Sequence, residues 1–175
     1  VPTIWMGILQ LLDANPGRWD LSAIKGMFVG GSAVPRAMIA AYKQRHGIQI
    51  IQGWGMTETS PVASTAALPH DLAGVDDETR FDLEAMAGIP LPFVEVRARV
   101  GDEEIPWDGE AMGELEVRGP WVASGYHAVP DDPAFTEDGW FRTGDIVTIG
   151  RDAALRLQDR CKDLVKSGGE WISSV

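Results

Sequence analysis

The segment Gln52-Gly53-Trp54-Gly55-Met56-Thr57-Glu58-Thr59-Ser60-Pro61 holds the densest set of groups able to do chemistry. Two glycines flank an aromatic side chain, so a flat ring can lie against bare backbone. A hydroxyl follows to donate to an anion, and the carboxylate of Glu58 can hold a hard cation. These parts suit a nucleotide with Mg2+, although a tight turn with a buried Trp and two capping residues accounts for the same composition. Gly30-Gly31-Ser32-Ala33 is open to the same two readings, and its place before a helix N-terminus favours contact with an anion or a ring.

A second cluster joins Asp138-Gly139-Trp140-Phe141-Arg142-Thr143-Gly144-Asp145 to Asp159-Arg160-Cys161-Lys162-Asp163-Leu164-Val165-Lys166, about a strand pair later. Asp145 at a strand start can accept hydrogen bonds from a ribose diol, and Arg160 can approach the same sugar. A surface turn with a solvated charged strand fits the pattern alone as well. Cys161 sits between charged residues with no visible partner, which reads as a packed side chain rather than a nucleophile. His46, His70 and His127 are scattered and read as surface or capping residues. No GxxxxGK[ST], complete GxGxxG or GxSxG occurs, and no CxxC or HExxH spacing offers zinc a site.

The elements that must position these groups change character along the chain. Thr3 can cap a helix with Ile4, Ile8, Leu11 and Leu12 on one side, ended by Asn15-Pro16-Gly17. Lys25 to Val29 reads as a strand. Pro35 then stands where a first helical residue belongs, Met38, Ile39 and Tyr42 share a face, Lys43, Arg45 and His46 fill the last turn, and Gly47 stops the helix. Ile48 to Ile51 is again a strand. This βαβ order collects ligands at the carboxyl ends of its strands, where both glycine-rich turns lie. Residues 71–87 are polar with a weak helical pattern and read as a surface excursion. From Pro92 the period becomes two, through Val94 to Val100 and Glu114 to Arg118, with further strands at 145–149 and 154–158 turned by Gly150-Arg151-Asp152. That half is expected to be an antiparallel sheet or small distorted barrel. The fold class is thus α/β followed by mainly antiparallel β. The expected divisions are a partial α/β core over 1–70, an antiparallel barrel-like subdomain over 71–158, and a hinge with the start of a further domain over 159–175.

Charge and composition bound the function classes. Hydrophobic residues at 45% and charged residues at 23% exclude global disorder, and 175 residues allow one domain or two small lobes. The net charge of −11 disfavours a surface that grips nucleic acid or an anionic membrane. Residues 71–145 hold 19 acids against 5 bases, while the flanking segments hold 3 against 5 and 4 against 5. A solvated face explains most of that middle acidity. The single cysteine excludes an internal disulfide and fits a reducing, cytoplasmic setting. No apolar run reaches bilayer length, and the first residues lack the basic start of a signal peptide. The absence of an initial Met and the motif-dense ending Lys166-Ser167-Gly168-Gly169-Glu170-Trp171-Ile172-Ser173 suggest a piece of a larger protein.

GGSAVP, QGWGMTETSP, GELEVRG, GWFRTGD, DRCKDLVK and SGGEWIS, in this order, resemble the motifs of adenylate-forming enzymes of the AMP-forming acyl-CoA synthetase type. The resemblance spans nearly the whole chain. It implies part of such an enzyme's large N-terminal domain, with Gly31, Ser32, Ala33, Gln52 and Gly53 in the adenine pocket and Trp54 stacked on the adenine. It places Thr57 on the phosphate, Glu58 on Mg2+, and Asp145 on the ribose hydroxyls with Arg160 assisting. Lys162 matches the hinge about which the family's C-terminal domain rotates, and Lys166 and Trp171 match nucleotide contacts beyond it. SGGEWIS looks like fatty-acyl and related acyl-CoA synthetases. The implied parent uses ATP, Mg2+ and coenzyme A on a carboxylic acid, fatty in the first instance, with aryl or sulfur-containing acids as alternatives. The family's phosphate loop and its catalytic lysine are absent from these residues, so the isolated chain is expected to be inactive. Two rival readings are a non-catalytic adenine-nucleotide-binding module and an interaction role for the acidic half. Oligomeric state has no signature.

Overall fold

The computed structural model describes residues 1–66, 74–161, 165–167 and 170–172. They belong to two compact units, one of Val1–Gly55 with Ser64–Gly88 and one of Met56–Ala63 with Ile89–Val175. No helix among the described residues is long and apolar enough to cross a membrane.

The first unit opens with helix α1, Pro2–Ala14. Pro2 stands in the first turn, where a missing N–H leaves no bond unmade. The helix therefore begins ahead of Thr3, with Val1 as its N-cap and no side-chain cap, which corrects the expected Thr3 cap. Its inward stripe is also turned from the expected one. Trp5, Ile8, Leu9 and Leu12 pack on the core, while Ile4 and Leu11 are exposed. Apolar residues occur on several sides of α1, so periodicity alone cannot choose the buried side. The neighbouring helix α2, Arg36–His46, chooses it: Tyr42 donates its hydroxyl to the Trp5 carbonyl at 2.6 Å.

Strands β1, Gly26–Val29, and β2, Gln49–Trp54, pair in parallel from Gly26↔Gln49 to Val29↔Gln52, with α2 between them in sequence. Pro35 is the N-cap of α2 rather than its first residue, and Gly47 ends it at φ 69°, in the left-handed region glycine tolerates. Met38, Ile39 and Tyr42 are buried together, as their spacing implies. The short strand β3, Ser64–Thr65, adds antiparallel to β2. Helix α3, Asp77–Glu84, realises the weak helical pattern, started by the Asp76 carboxylate accepting from the Thr79 N–H at 3.0 Å. The expected surface excursion has an inward side, because Phe81 lies fully buried in the core of Met38, Ile39 and Ile50.

The second unit contains β4 (Ile89–Pro90), β5 (Glu95–Val100), β6 (Glu103–Glu104), β7 (Gly113–Arg118), β8 (Phe141–Ile149), β9 (Leu155–Arg160), β10 (Val165–Ser167) and β11 (Glu170–Ile172). Five of them form an antiparallel sheet in the order β6-β5-β7-β8-β9. Period-two alternation puts Val96 opposite Val117 and Ala98 opposite Leu115, and the residues between them meet on the other face. There Arg97, Glu116 and Arg142 fall in one row across β5, β7 and β8. Glu116 takes Arg97 at 2.6 Å and Arg142 at 3.2 Å, and its side chain is only 3% exposed. The guanidiniums of Arg97 and Arg118 lie 4.3 and 4.6 Å from the Trp140 ring centroid. This face is thus not simply solvated. Register shifts interrupt β7–β8 and β8–β9, and such irregularities increase local twist. β10 and β11 pair antiparallel with Lys166 opposite Trp171.

Candidate functional site

Within the first unit the two glycine-rich turns meet at the carboxyl ends of β1 and β2. A Cβ on Gly30 would lie 2.8 Å from the Gly53 carbonyl oxygen, and one on Gly53 would lie 2.0 Å from the Phe28 ring. The glycines therefore admit the protein's own backbone and its own aromatic ring at these points. Gln52 is buried, and its side chain ties three segments. Its Oε1 accepts from the Val34 N–H at 2.7 Å, and its Nε2 donates to the carbonyls of Met86 at 3.0 Å and Ala85 at 3.3 Å. That bond to Val34 fixes the turn that carries Gly31, Ser32 and Ala33, so Gln52 acts on the turn from beneath. Gly31 adopts φ 90° and is exposed, as are Ser32 and Ala33. Trp54 is 7% exposed, which leaves little of its indole open to a ligand.

Within the second unit Thr57–Thr59 form one 3-10 turn. Thr59 locks it, accepting from the Met56 N–H at 2.9 Å and donating to the Pro61 carbonyl at 2.9 Å. Thr57 is left exposed and Glu58 half-buried. The Tyr126 hydroxyl donates to Glu58 Oε1 at 2.6 Å, and the Ala123 N–H donates to the Glu58 carbonyl at 2.7 Å. The carboxylate partner disfavours a phenolate beside it and pushes the Tyr126 hydroxyl up to about 12. Sequence reasoning missed Tyr126. Its partner lies 68 residues away, and no local pattern links them.

The structure pairs Asp145 with Arg160 directly. They are register partners on β8 and β9, and Arg160 Nε lies 3.1 Å from Asp145 Oδ1. Asp145 is 6% exposed. The strand is anchored at this point: Thr143 donates to the Leu115 carbonyl at 2.8 Å, the Asp145 N–H donates to the Thr143 hydroxyl at 3.1 Å, and the Cys161 N–H donates to the Gly144 carbonyl at 2.8 Å. Burial pushes the Cys161 thiol up to about 11, so it is not a ready nucleophile at neutral pH. Lys162 lies outside the described residues, as does His70. For Lys166 and Trp171 the backbone pairing is described, and their side chains lie outside the description.

The donor set indicates what kind of cation these residues can hold. Among the described residues no group of three or more His, Cys, Asp or Glu gathers to cage a metal. Glu58 offers hard oxygen ligands, and Mg2+ is commonly bound by one or two carboxylates together with substrate phosphates and water. A single carboxylate such as Glu58 suits a cation that it shares with phosphate oxygens and water.

Comparison with known proteins follows the same direction. The profile of the family described as AMP-binding enzyme matches residues 1–127. The chain is 43% identical over its whole length to a long-chain-fatty-acid–CoA ligase of Thermus thermophilus, covering 32% of that protein. It is 39% identical over its whole length to a 3-methylmercaptopropionyl-CoA ligase of Ruegeria pomeroyi, again covering 32%. The fold is similar to that of O-succinylbenzoate coenzyme A synthetase from Bacillus subtilis in complex with ATP and magnesium ion, with a TM-score of 0.76 and 26% identity, covering 97% of this chain and 32% of that one. The chain thus spans about a third of the length of these relatives.

Proposed function

The chain belongs to the AMP-binding enzyme family, and on that premise we propose that it supplies nucleotide-holding residues to an ATP-dependent acid–CoA ligase. The ligase forms an acyl adenylate from a carboxylic acid, in the first instance a fatty acid, and ATP, and then an acyl-CoA thioester. In the first step a carboxylate oxygen bonds to the α-phosphorus and the bond to pyrophosphate breaks. In the second the thiol sulfur of CoA bonds to the acyl carbon, its proton passes to a base, and AMP leaves. Mg2+, when bound, neutralises part of the phosphate charge.

The chain's own residues bind and orient. The Gly31–Ala33 turn, held by Gln52, and the backbone of the Gly53–Trp54 strand end would line the adenine. Thr57 would donate to a phosphate oxygen, and Glu58 would hold the cation. Asp145 would accept from the ribose hydroxyls, with Arg160 keeping its carboxylate in place. The Asp145–Arg160 pair carries the proposal: a carboxylate with about four acceptor positions has room for both a guanidinium and a diol, and strand register rather than a flexible loop sets its place. Lys162, Lys166 and Trp171 remain proposed hinge and nucleotide contacts. A cytoplasmic setting, where ATP and CoA are available, fits this function. The 175 residues alone would not turn over, because preorganised charge around the transferring phosphate must come from several sides.

The test uses the longest reading frame that contains the chain. It should release pyrophosphate from ATP only when a carboxylic acid is present, and Asp145→Ala should raise the KM for ATP. AMP binding without acid-dependent pyrophosphate release would instead favour a non-catalytic nucleotide-binding module. The 39% identity to a ligase named for a sulfur-containing acid supports a second substrate class. A panel of fatty, aryl and thioether acids decides between them.

A further inference from the structure

Glu58 ends a long, half-exposed side chain, and such side chains lose substantial rotamer freedom when a ligand fixes them. In the second unit this freedom is already restricted from both ends of the residue, by Tyr126 at Oε1 and by the Ala123 N–H at the carbonyl. Tyr126 is restricted in turn. Its ring packs edge-on against Phe135, with centroids 5.3 Å apart at 77°, and Phe135 lies 5.0 Å from Phe141, a buried residue of β8. A bridge between Tyr126 and Val129 closes the turn that carries the tyrosine. The Trp121 indole N–H donates to the Val62 carbonyl at 3.2 Å, tying the same stretch to the residues after Glu58. An aromatic brace therefore starts in the β8 core and ends at one carboxylate oxygen. A carboxylate has about four acceptor positions, so one tyrosine hydroxyl leaves room for a cation.

We infer that Tyr126 is a positioning residue that holds the Glu58 carboxylate in one rotamer for the Mg2+ accompanying ATP. The inference rests on the proposed role of Glu58 and adds a residue that neither the motifs nor the family resemblance assigned.

Tyr126→Phe removes one oxygen and keeps the ring stack. In the longest reading frame containing the chain, ATP affinity is measured by calorimetry across a Mg2+ titration, without turnover. The Mg2+ concentration giving half of the affinity gain should rise about tenfold, the scale of one hydrogen bond to a charged group, while affinity in EDTA and the circular dichroism stay unchanged. Glu58→Gln should abolish the Mg2+ effect, and adding Tyr126→Phe to it should change nothing more. An unchanged or lowered half-point in Tyr126→Phe overturns the inference, as does a further loss in the double variant. Wild-type Mg2+ dependence in Glu58→Gln removes Glu58 from the cation, and both the assignment and the inference fall. Should Tyr126→Phe not fold, Phe135→Leu keeps the hydroxyl and loosens its support. A smaller rise in the half-point is then expected, and no rise overturns the inference.

Discussion

Tyr126 and Glu58, 68 residues apart, meet at 2.6 Å with the tyrosine donating. Phe135 aims the hydroxyl, since it packs against both the Tyr126 ring and Phe141. Phe135→Leu keeps an apolar side chain and loses two aromatic pairs. It should lower stability by about 1–2 kcal/mol, given the usual worth of such pairs. Urea denaturation checks the loss, and ring resonances of Tyr126 should broaden or shift.

Gln52→Ala should orphan the buried Val34 N–H, which has no other acceptor among the described hydrogen bonds of that turn. A buried donor left unmade costs about 1–3 kcal/mol. The denaturation midpoint should fall accordingly. Amide exchange should accelerate at Val34 more than at Ile39 or Ile50, because only the first loses its acceptor.

Glu116 sits between two arginines with 3% of its side chain exposed. Removing one member of a buried ion cluster leaves uncompensated charge, so Glu116→Ala should destabilise by about 3–5 kcal/mol. Replacing Glu95, whose pair with Arg118 is exposed, should cost far less. Paired urea titrations of the two variants provide the comparison.

Burial holds the Glu84 carboxyl above its ordinary value of 4.5, against an opposing hydrogen bond from Gln49 at 3.0 Å. The folded chain keeps this proton to higher pH than the unfolded chain does. Glu84 therefore subtracts stability as pH rises from the ordinary value through the raised one, and has no such effect below both. Glu84→Gln should gain stability relative to wild type at pH 7 and lose that advantage by pH 4. Denaturation midpoints of both proteins across that range measure the difference, and a constant offset would contradict it.

The α/β-then-antiparallel architecture was legible because helix and strand periods, proline and glycine stops, and motif order are short-range properties. Met38, Ile39 and Tyr42 turn inward together as their spacing requires. The sequence set Asp145 and Arg160 near one sugar, whereas their direct pairing comes from the β8–β9 register, which only the folded hairpin shows. The buried side of α1 was not legible. Its apolar residues serve several faces, and a contact 37 residues away selects one.

The sequence by itself determined the family and the types of residue available to a nucleotide, because glycine turns, a hydroxyl–carboxylate pair and strand-borne charges carry their chemistry wherever they fold. Only the tertiary structure decided that Gln52 holds the Gly31–Ala33 turn, that Glu116 is buried between arginines, and that Tyr126 grips Glu58. Hydrogen bonds and ion pairs depend on separations of a few ångströms between groups distant in sequence. Such separations exist only after the chain has closed, and no local pattern encodes them.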